Sequence, residues 1–230
     1  MYWLVETEEQ INYLISRQFK DAFVEVIPLS DNIHPANNDV SLVYFKPFIE
    51  PKGFMLCVTH SECLGVSKTQ VNQLLTQTNT LWTRDKKSTL FYFQIQSLLD
   101  VSAVIPPYIQ DKTIVPIVKH YETCQLIYDN VKHGFEEERP PYFDFYNKWA
   151  PLAFFGLEKN GIKINKEEFE THFHPVDGDY VYTSYNYNTL TTRPSNKFGG
   201  VNYAALNKEN GCRKSFIPRN DEFVEYDISA

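Results

Sequence analysis

Positive charge is concentrated between residues 181 and 220, and a phosphate backbone is the partner that suits such a segment best. The segment holds six cations against a single acid, Glu209, for a net charge of +5. The whole chain has a formal net charge of −7, so the positive charge is local. Clustered Lys and Arg attract nucleic acids, although a merely solvated basic loop is the alternative. The cations are Arg193, Lys197, Lys208, Arg213, Lys214 and Arg219.

Three short motifs follow one another in this part of the chain. The first is Thr189-Leu-Thr-Thr-Arg-Pro-Ser, the second places Phe216 three residues after Arg213, and the third is Tyr226-Asp-Ile-Ser. Their order resembles the entry into the palm of a family A DNA polymerase, the DNA polymerase I type. In that family the motifs read Thr-x-Thr-Gly-Arg-x-Ser, Arg-x-x-Phe and Asp-Tyr-Ser.

The resemblance implies a role for each motif. Asp227 corresponds to an aspartate that binds Mg²⁺, and the backbone of Ile228 to a second metal contact, for phosphoryl transfer in the complete polymerase site. Arg213, with Lys214 beside it, corresponds to the arginine near the nucleotide and the primer–template. Arg193 corresponds to the arginine that braces the minor groove, where its planar fork suits bidentate contacts. The other implied DNA-binding positions are Thr191, Thr192, Ser195, Asn196, Lys197 and Asn202.

These motifs also have plainer interpretations, and the match to the family is incomplete. On local sequence alone, Asp227 also fits an ordinary exposed aspartate, and Arg213 a cap on a strand edge. Thr192 replaces the usual glycine and Pro194 the usual leucine. Both changes alter the residues expected to shape the turn at the first motif.

A second signature lies upstream, in residues 157–165. It has Glu158, Gly161 and Ile162 at the positions of a family A pattern, Leu/Met-Glu-x-x-Gly-Ile-x-Val-Asp/Asn, which joins the exonuclease to the polymerase. In the family a long helical thumb then follows. Here only about fifteen residues separate the signature from the strand-like segment 180–187. The thumb is therefore expected to be reduced, missing or supplied elsewhere.

Family A polymerases carry a ribonuclease-H-like 3′–5′ exonuclease domain before the polymerase, and the resemblance implies one here. Such a domain binds two metals through an Asp-x-Glu on its first strand and further aspartates on later helices. Glu25 has no acidic partner two residues on, Asp85 lacks the usual asparagine, and Tyr121 is followed four positions later by Gln125 instead of aspartate. We expect a degenerate domain that does not proofread.

Hydrophobic periodicity predicts the elements that must position these residues. Three strands, a helix, a strand, a helix and a later helix would be the order of a ribonuclease-H-like exonuclease domain, with an unrelated α/β domain as the alternative. Ser67 is the expected N-cap of its helix, and Pro116 limits where the last helix can begin. The predicted elements are a helix at 8–17, strands at 22–29, 40–47 and 53–60, a helix at 68–78, a short apolar piece at 80–82, and helices at 86–98 and 114–131.

The second half of the chain is expected to begin with a helix at 144–160. Its apolar stripe comprises Phe145, Trp149, Leu152, Ala153 and Leu157. Gly161 should end this helix, and 162–164 should be extended. Asn165, with Glu168 three residues later, fits a capping-box start for another short helix.

The predicted fold class is α/β (α+β), a ribonuclease-H-like exonuclease-type domain followed by a linking helix and the first strands of a polymerase palm. The domains are expected at 1–134, with an acidic, proline-containing linker at 135–141, connecting helices at 142–175 and the start of the palm at 176–230. The chain would be part of a phage-like, template-directed DNA polymerase that adds dNTPs to a primer 3′ end.

By itself this chain is expected to be inactive, because one carboxylate cannot hold a pair of metals. The expected partners are primer–template DNA, dNTP and a second polypeptide that carries the rest of the palm and the fingers. The competing hypothesis is a non-catalytic DNA-binding or replication-accessory module that retains the exonuclease-like scaffold. A third is a structural domain without nucleic-acid contact.

Composition narrows the class of protein further. A hydrophobic share of 43% and a charged share of 22% are typical of a soluble globular protein. No apolar run approaches the roughly 20 residues of a membrane span, and no signal peptide is apparent, so a cytoplasmic location is expected. His172-Phe-His174 lacks a third ligand for zinc. The four cysteines lack Cys-x-x-Cys spacing and are expected to be reduced thiols; they are Cys57, Cys63, Cys124 and Cys212.

Overall fold

The computed structural model describes residues 2–31, 33–95, 98–100, 115–132, 148–187, 194–197, 206–207 and 209–224. The chain divides into two units, unit 1 at Met1–Phe155 and unit 2 at Gly156–Ala230. The predicted linker at 135–141 lies outside the described residues, so the domain boundaries drawn from the sequence stay a prediction.

A six-stranded mixed sheet forms the centre of unit 1. Its hydrogen-bonded order is β1-β4-β3-β2-β5-β6. The pairs β2–β3 and β3–β4 are antiparallel, whereas β1–β4, β2–β5 and β5–β6 are parallel. The strands are β1 Trp3–Val5, β2 Asp21–Pro28, β3 Val40–Pro47, β4 Phe54–Cys57, β5 Thr80–Thr83 and β6 Leu98–Asp100.

Helices of unit 1 cover both faces of this sheet. Side chains of α1 and α2 pack with Val24 and Val43 in one apolar cluster, while α4 packs with Phe23 and Leu42 in another. Every residue of β3 is buried, as expected for a strand covered on both faces. The helices are α1 Glu8–Ser16, α2 Lys68–Gln77, α3 Lys86–Tyr92 and α4 Ile117–Val131.

The element order is consistent with the predicted exonuclease-like α/β domain, since β2, β3 and β4 are followed by α2, β5, α3 and α4, with β6 in addition between α3 and α4. Ser67 is the N-cap of α2 and forms a capping box with Gln70. The predicted helix at 86–98 was too long, because α3 ends at Tyr92 and Leu98 begins β6. Pairing with β5, opposite Leu81, accounts for Leu98.

The cysteine prediction was wrong for one pair. Cys57, at the end of β4, forms a disulfide with Cys63 in the loop that follows. Cys124 and Cys212 are buried thiols outside any disulfide, in agreement with the expectation of reduced thiols. The spacing of Cys57 and Cys63 has no metal-site signature, and the pairing arises because the loop folds back on the strand end, where Val66 N–H donates to Cys57 O.

Unit 2 contains short elements around a small apolar cluster. Helix α5 begins in unit 1 and ends in unit 2. Ile164, Phe169 and Val181 are buried at the centre of the cluster. The strands β7 and β8 form one antiparallel pair, and β9 and β10 form another. The bounds are α5 Ala150–Asn160, β7 Ile162–Lys163, α6 Lys166–His172, β8 Tyr180–Val181, β9 Ser184–Asn186 and β10 Ser195–Lys197. Whether these strands begin a polymerase palm stays a prediction.

The predicted apolar stripe of α5 is not its buried face. Trp149, Leu152 and Leu157 are 58%, 40% and 60% exposed, and Phe145 lies outside the described residues. Phe155 instead packs edge-on against Phe91 of α3, with ring centroids 4.9 Å apart. The helix has apolar residues around most of its circumference, so periodicity alone could not select the buried side. None of the helices in the described ranges combines the length and apolar character needed to cross a bilayer.

Candidate functional site

The carboxyl end of β5 lies beside the middle of the parallel strand β2 and brings together two of the predicted exonuclease-like positions. Open α/β sheets bind ligands at this kind of edge. Val24 of β2 lies opposite Thr83 of β5, so the next residues, Glu25 and Arg84, continue the same register. Asp85 follows directly. The structure therefore places an acid, a base and a second acid just beyond the end of the β2–β5 ladder.

Glu25 and Arg84 form a charge-assisted pair. The Arg84 Nη2 and Nε atoms donate to Glu25 Oε1 over 2.7 and 3.1 Å. Glu25 is only 5% exposed. Its charge raises the pKa of Arg84 above the ordinary value, outweighing the lowering effect of burial. The carboxylate is thus neutralised by a guanidinium on its own protein.

Asp85 is engaged in a different local role as the N-cap of α3. Its Oδ1 accepts the backbone N–H of Ser88 at 3.0 Å, and its Oδ2 accepts the Ser88 hydroxyl at 2.7 Å. Burial by itself would raise the pKa of Asp85, but the Ser88 hydrogen bonds and the Arg84 charge hold it below its usual value. Both carboxylate oxygens therefore serve the start of the helix.

The third predicted exonuclease-like position, Tyr121, lies on α4. This helix packs on the sheet face of Phe23 and Ile27, and strand alternation points Glu25 to the same face. The Tyr121 hydroxyl donates to Gln125 Oε1 at 3.3 Å, as does the Tyr44 hydroxyl at 2.9 Å. Gln125 thus anchors a tyrosine network where the family pattern has an aspartate.

Mg²⁺ does not fit the cluster of Glu25, Arg84 and Asp85. The described residues contain no group of three or more His, Cys, Asp or Glu placed to hold a metal ion. Moreover, a cation near Glu25 would have to displace Arg84, which already neutralises this buried carboxylate at 2.7 Å. We therefore derive no metal-dependent step in unit 1.

The predicted DNA-binding positions of unit 2 are only partly described. Ser195, Asn196 and Lys197 form β10, and Ser195 is exposed. Asn196 Nδ2 donates to Thr183 Oγ1 at 2.7 Å, so its amide helps to fix the strand. Thr191, Thr192, Arg193, Asn202, Asp227 and Ile228 lie outside the described residues, and their roles stay predictions.

Arg213 and Lys214 lie side by side on a short 3-10 turn, and both are exposed. The turn begins at Gly211, whose φ of +77° favours glycine. Cys212 and Ser215 are buried beneath it. The turn is thus anchored by two buried residues and exposes two neighbouring cations to solvent. This arrangement suits contacts to phosphate.

Arg219, another cation of the basic segment, has a structural role that the sequence did not reveal. Its guanidinium lies 4.8 Å from the centroid of the Tyr180 ring and donates to the backbone oxygen of Asn160. Arg219 therefore caps the carboxyl end of α5, where a cation is favoured by the helix dipole. The predicted helix end at Gly161 was the available signal, because the last backbone oxygens of a helix need a hydrogen-bond donor such as Arg219.

Comparisons with known proteins add little to these observations. No family model matches the chain, and no curated protein matches it. Among solved structures it is similar to the EXO domain of Nibbler from Aedes aegypti, with 10% identity, a TM-score of 0.35, and coverage of 65% of this chain and 74% of that chain. The order of strands and helices in unit 1 is that of a mixed α/β domain and is consistent with an exonuclease-like fold.

Proposed function

We propose that this chain is part of a template-directed DNA polymerase of the family A type. In this proposal unit 1 is an exonuclease-like scaffold that does not cleave DNA, and unit 2 binds primer–template DNA. The observation that carries the proposal is the exposed pair Arg213 and Lys214 on an anchored turn, within a segment whose motifs follow the order of the polymerase palm.

Each unit contributes differently to this proposal. In unit 1, the Glu25–Arg84 pair occupies a carboxylate that metal-dependent hydrolysis would need. In unit 2, Arg213 and Lys214 would contact the phosphate backbone, and Ser195 the sugar or phosphate, which positions DNA without reading its sequence. Asp227 is the proposed Mg²⁺ ligand of the complete polymerase site, on the sequence resemblance alone. The proposed partners include dNTP and a polypeptide that carries the rest of the palm and fingers.

A second candidate is a non-catalytic DNA-binding or replication-accessory module. The Glu25–Arg84 pair favours it, because a scaffold without a metal site can still hold DNA through unit 2. Primer extension separates the two candidates. The polymerase hypothesis expects Mg²⁺-dependent extension when the chain is combined with the rest of the palm, and loss of that activity in Asp227→Asn. The accessory hypothesis expects primer–template binding without extension in either case.

DNA binding itself is tested by fluorescence anisotropy with a labelled primer–template over a series of salt concentrations. Arg213→Ala should weaken binding and reduce the slope of log K against log salt by about one, since one phosphate contact is lost. Lys214→Ala should behave similarly.

Lys166→Ala is the matched control, because Lys166 is also an exposed cation of unit 2 but lies near Glu170 on α6. It should leave the slope almost unchanged. Equal losses in all three variants would indicate a general charge effect and would contradict a defined binding site.

A further inference from the structure

Glu158 connects the end of α5 to the strand that precedes the predicted DNA-binding segment. Its side chain is buried, with 2% exposure. Its Oε1 accepts a 2.6 Å hydrogen bond from the backbone N–H of Tyr185 in β9. A hydrogen bond to a carboxylate is stronger than one between neutral groups, and more so when shielded from water. This contact therefore ties β9 firmly to the helix.

We propose that Glu158 is a positioning residue, which holds β9 and, through it, β10 in the geometry that binds DNA. This inference rests on the proposed function, since β10 carries three of the predicted DNA-binding positions. Glu158 itself would not touch DNA, because its carboxylate is buried against the protein backbone.

Two contacts carry the argument from Glu158 to β10. Tyr185 is the cross-strand partner of Asn196, so fixing the backbone of Tyr185 also fixes the opposite position. Asn196 Nδ2 then donates to Thr183 Oγ1, two residues before Tyr185, at 2.7 Å. The register of β9 and β10 thus depends on a strand that one buried carboxylate anchors.

The spacing of Glu158 and Gly161 has a physical explanation in this arrangement. Gly161 ends α5 with a φ of +63°, and its N–H donates to Glu158 O at 3.3 Å. A Cβ at position 161 would lie 2.8 Å from the Tyr182 ring and 3.1 Å from Val181 O. The turn therefore brings Glu158 onto Tyr185 while Gly161 packs closely on β8 and the residue after it. The end of α5 thus contacts the segment 181–185 at several residues and fixes its position.

The surroundings of the carboxylate are small and shielded. Glu158, Gly161, Thr183 and Tyr185 line a cavity of about 150 Å³. Burial, and then the charge of Glu158, raise the pKa of the Tyr185 phenol. The carboxylate is thus buried beside a half-buried tyrosine, and its removal would leave the Tyr185 N–H without this acceptor.

The test compares Glu158→Ala with Glu158→Gln in the full chain, using two measurements. Hydrogen exchange at the Tyr185 amide reports the anchor directly, and primer–template anisotropy reports its effect on binding. Glu158→Ala should lose the protection of the Tyr185 amide and weaken DNA binding about tenfold. Glu158→Gln retains a carbonyl oxygen as acceptor and should stay within about threefold of the wild type. Glu167→Ala, an exposed glutamate on α6, should change neither.

The outcomes separate the inference from the proposed function. An Ala variant with unchanged Tyr185 exchange and unchanged DNA affinity would overturn the inference, and so would a Gln variant as impaired as Ala in both. Faster exchange in Ala alongside a wild-type protein that does not bind DNA would refute the DNA-binding function and leave only the local anchor. If Glu158→Ala does not fold, Glu158→Asp replaces it, with an intermediate loss of protection and affinity expected.

Discussion

Charges are organised in opposite ways in the two units. In unit 1, Arg84 donates twice to the buried Glu25. In unit 2, Arg213 and Lys214 face solvent on an anchored turn. Removing one partner of a largely buried pair is costly, and the pair is not available to phosphate, whereas exposed cations contribute little to stability and can exchange counterions for a phosphate backbone. We therefore expect the first pair of charges to affect stability and, on the proposed function, the second to affect DNA binding.

The hydrophobic core of unit 1 is larger than that of the described part of unit 2. Unit 1 packs two apolar clusters on opposite faces of a six-stranded sheet. The described part of unit 2 has one cluster centred on Ile164, Phe169 and Val181, beside ladders of two or three residues per strand. Small cores and short ladders are marginal by themselves. Unit 2 therefore depends more on single contacts, such as those of Glu158 and Arg219.

The largest expected effect comes from breaking the ion pair of unit 1. Arg84→Ala would leave the Glu25 carboxylate buried without its guanidinium partner. Such a loss costs about 3–5 kcal/mol in a fully buried pair. Arg84 keeps 32% of its side-chain surface exposed, so a reduction of about 2–3 kcal/mol in the free energy of unfolding is expected. Urea unfolding followed by circular dichroism measures it.

A double variant shows whether the cost comes from the stranded charge. Glu25→Leu combined with Arg84→Met replaces the pair with apolar groups of similar size and should recover most of the lost stability. Primer–template affinity should stay near the wild-type value in both variants. A drop in affinity as large as that of Arg213→Ala would show that unit 1 charges also serve binding, and the contrast between the units would fail.

Local sequence signals predicted local structure well. The strand at Val40–Pro47 has the predicted bounds, because a β-branched and aromatic run is bounded by turn residues on both sides. Ser67 and Gln70 form a capping box readable from spacing alone. Leu98 was misassigned because Phe93 and Ile95 continue a helical spacing, and only pairing with β5 distinguishes a strand there.

The candidate site was harder to predict, because its contacts join distant segments. The resemblance identified Glu25 and Asp85 as remnants of a carboxylate site but did not identify the partner of Glu25. Arg84 is that partner only because β2 and β5 are parallel with Val24 opposite Thr83. Likewise, the sequence showed Arg219 only as one of the cations of the basic segment, whereas in the structure it donates to the end of α5. The sequence gives the number of charged residues, but only the fold shows which of them already have a partner within the protein.

A moderate effect on stability is expected at Asp85, the acid that follows Arg84. Asp85→Ala removes the N-cap of α3 and should cost about 1 kcal/mol of unfolding free energy. Because the folded-state pKa of Asp85 is lowered, its charge stabilises the fold fully above the unfolded pKa of about 3.9. That contribution is lost as the pH falls through the folded pKa.

The pH dependence of Asp85 can be isolated with Asp85→Asn, which keeps an oxygen acceptor but does not titrate. The stability difference between the wild type and this variant should be constant from neutral pH down to about pH 5 and shrink below about pH 4. Thermal unfolding at several pH values measures it. A difference that does not change with pH would show that the Asp85 charge contributes nothing to the fold.

The smallest expected effect on stability is that of Arg213→Ala, which is also the sharpest counterpart of Arg84→Ala. Both variants remove one guanidinium, but Arg213 is exposed, and the hydrogen bond from its guanidinium to Leu206 O is long at 3.4 Å. Exposed substitutions of this kind change stability by less than about 0.5 kcal/mol. Arg213→Ala should therefore unfold at the wild-type urea concentration while binding primer–template more weakly. If it instead destabilises the protein as Arg84→Ala does, the turn is structural, and its weaker DNA binding would reflect unfolding.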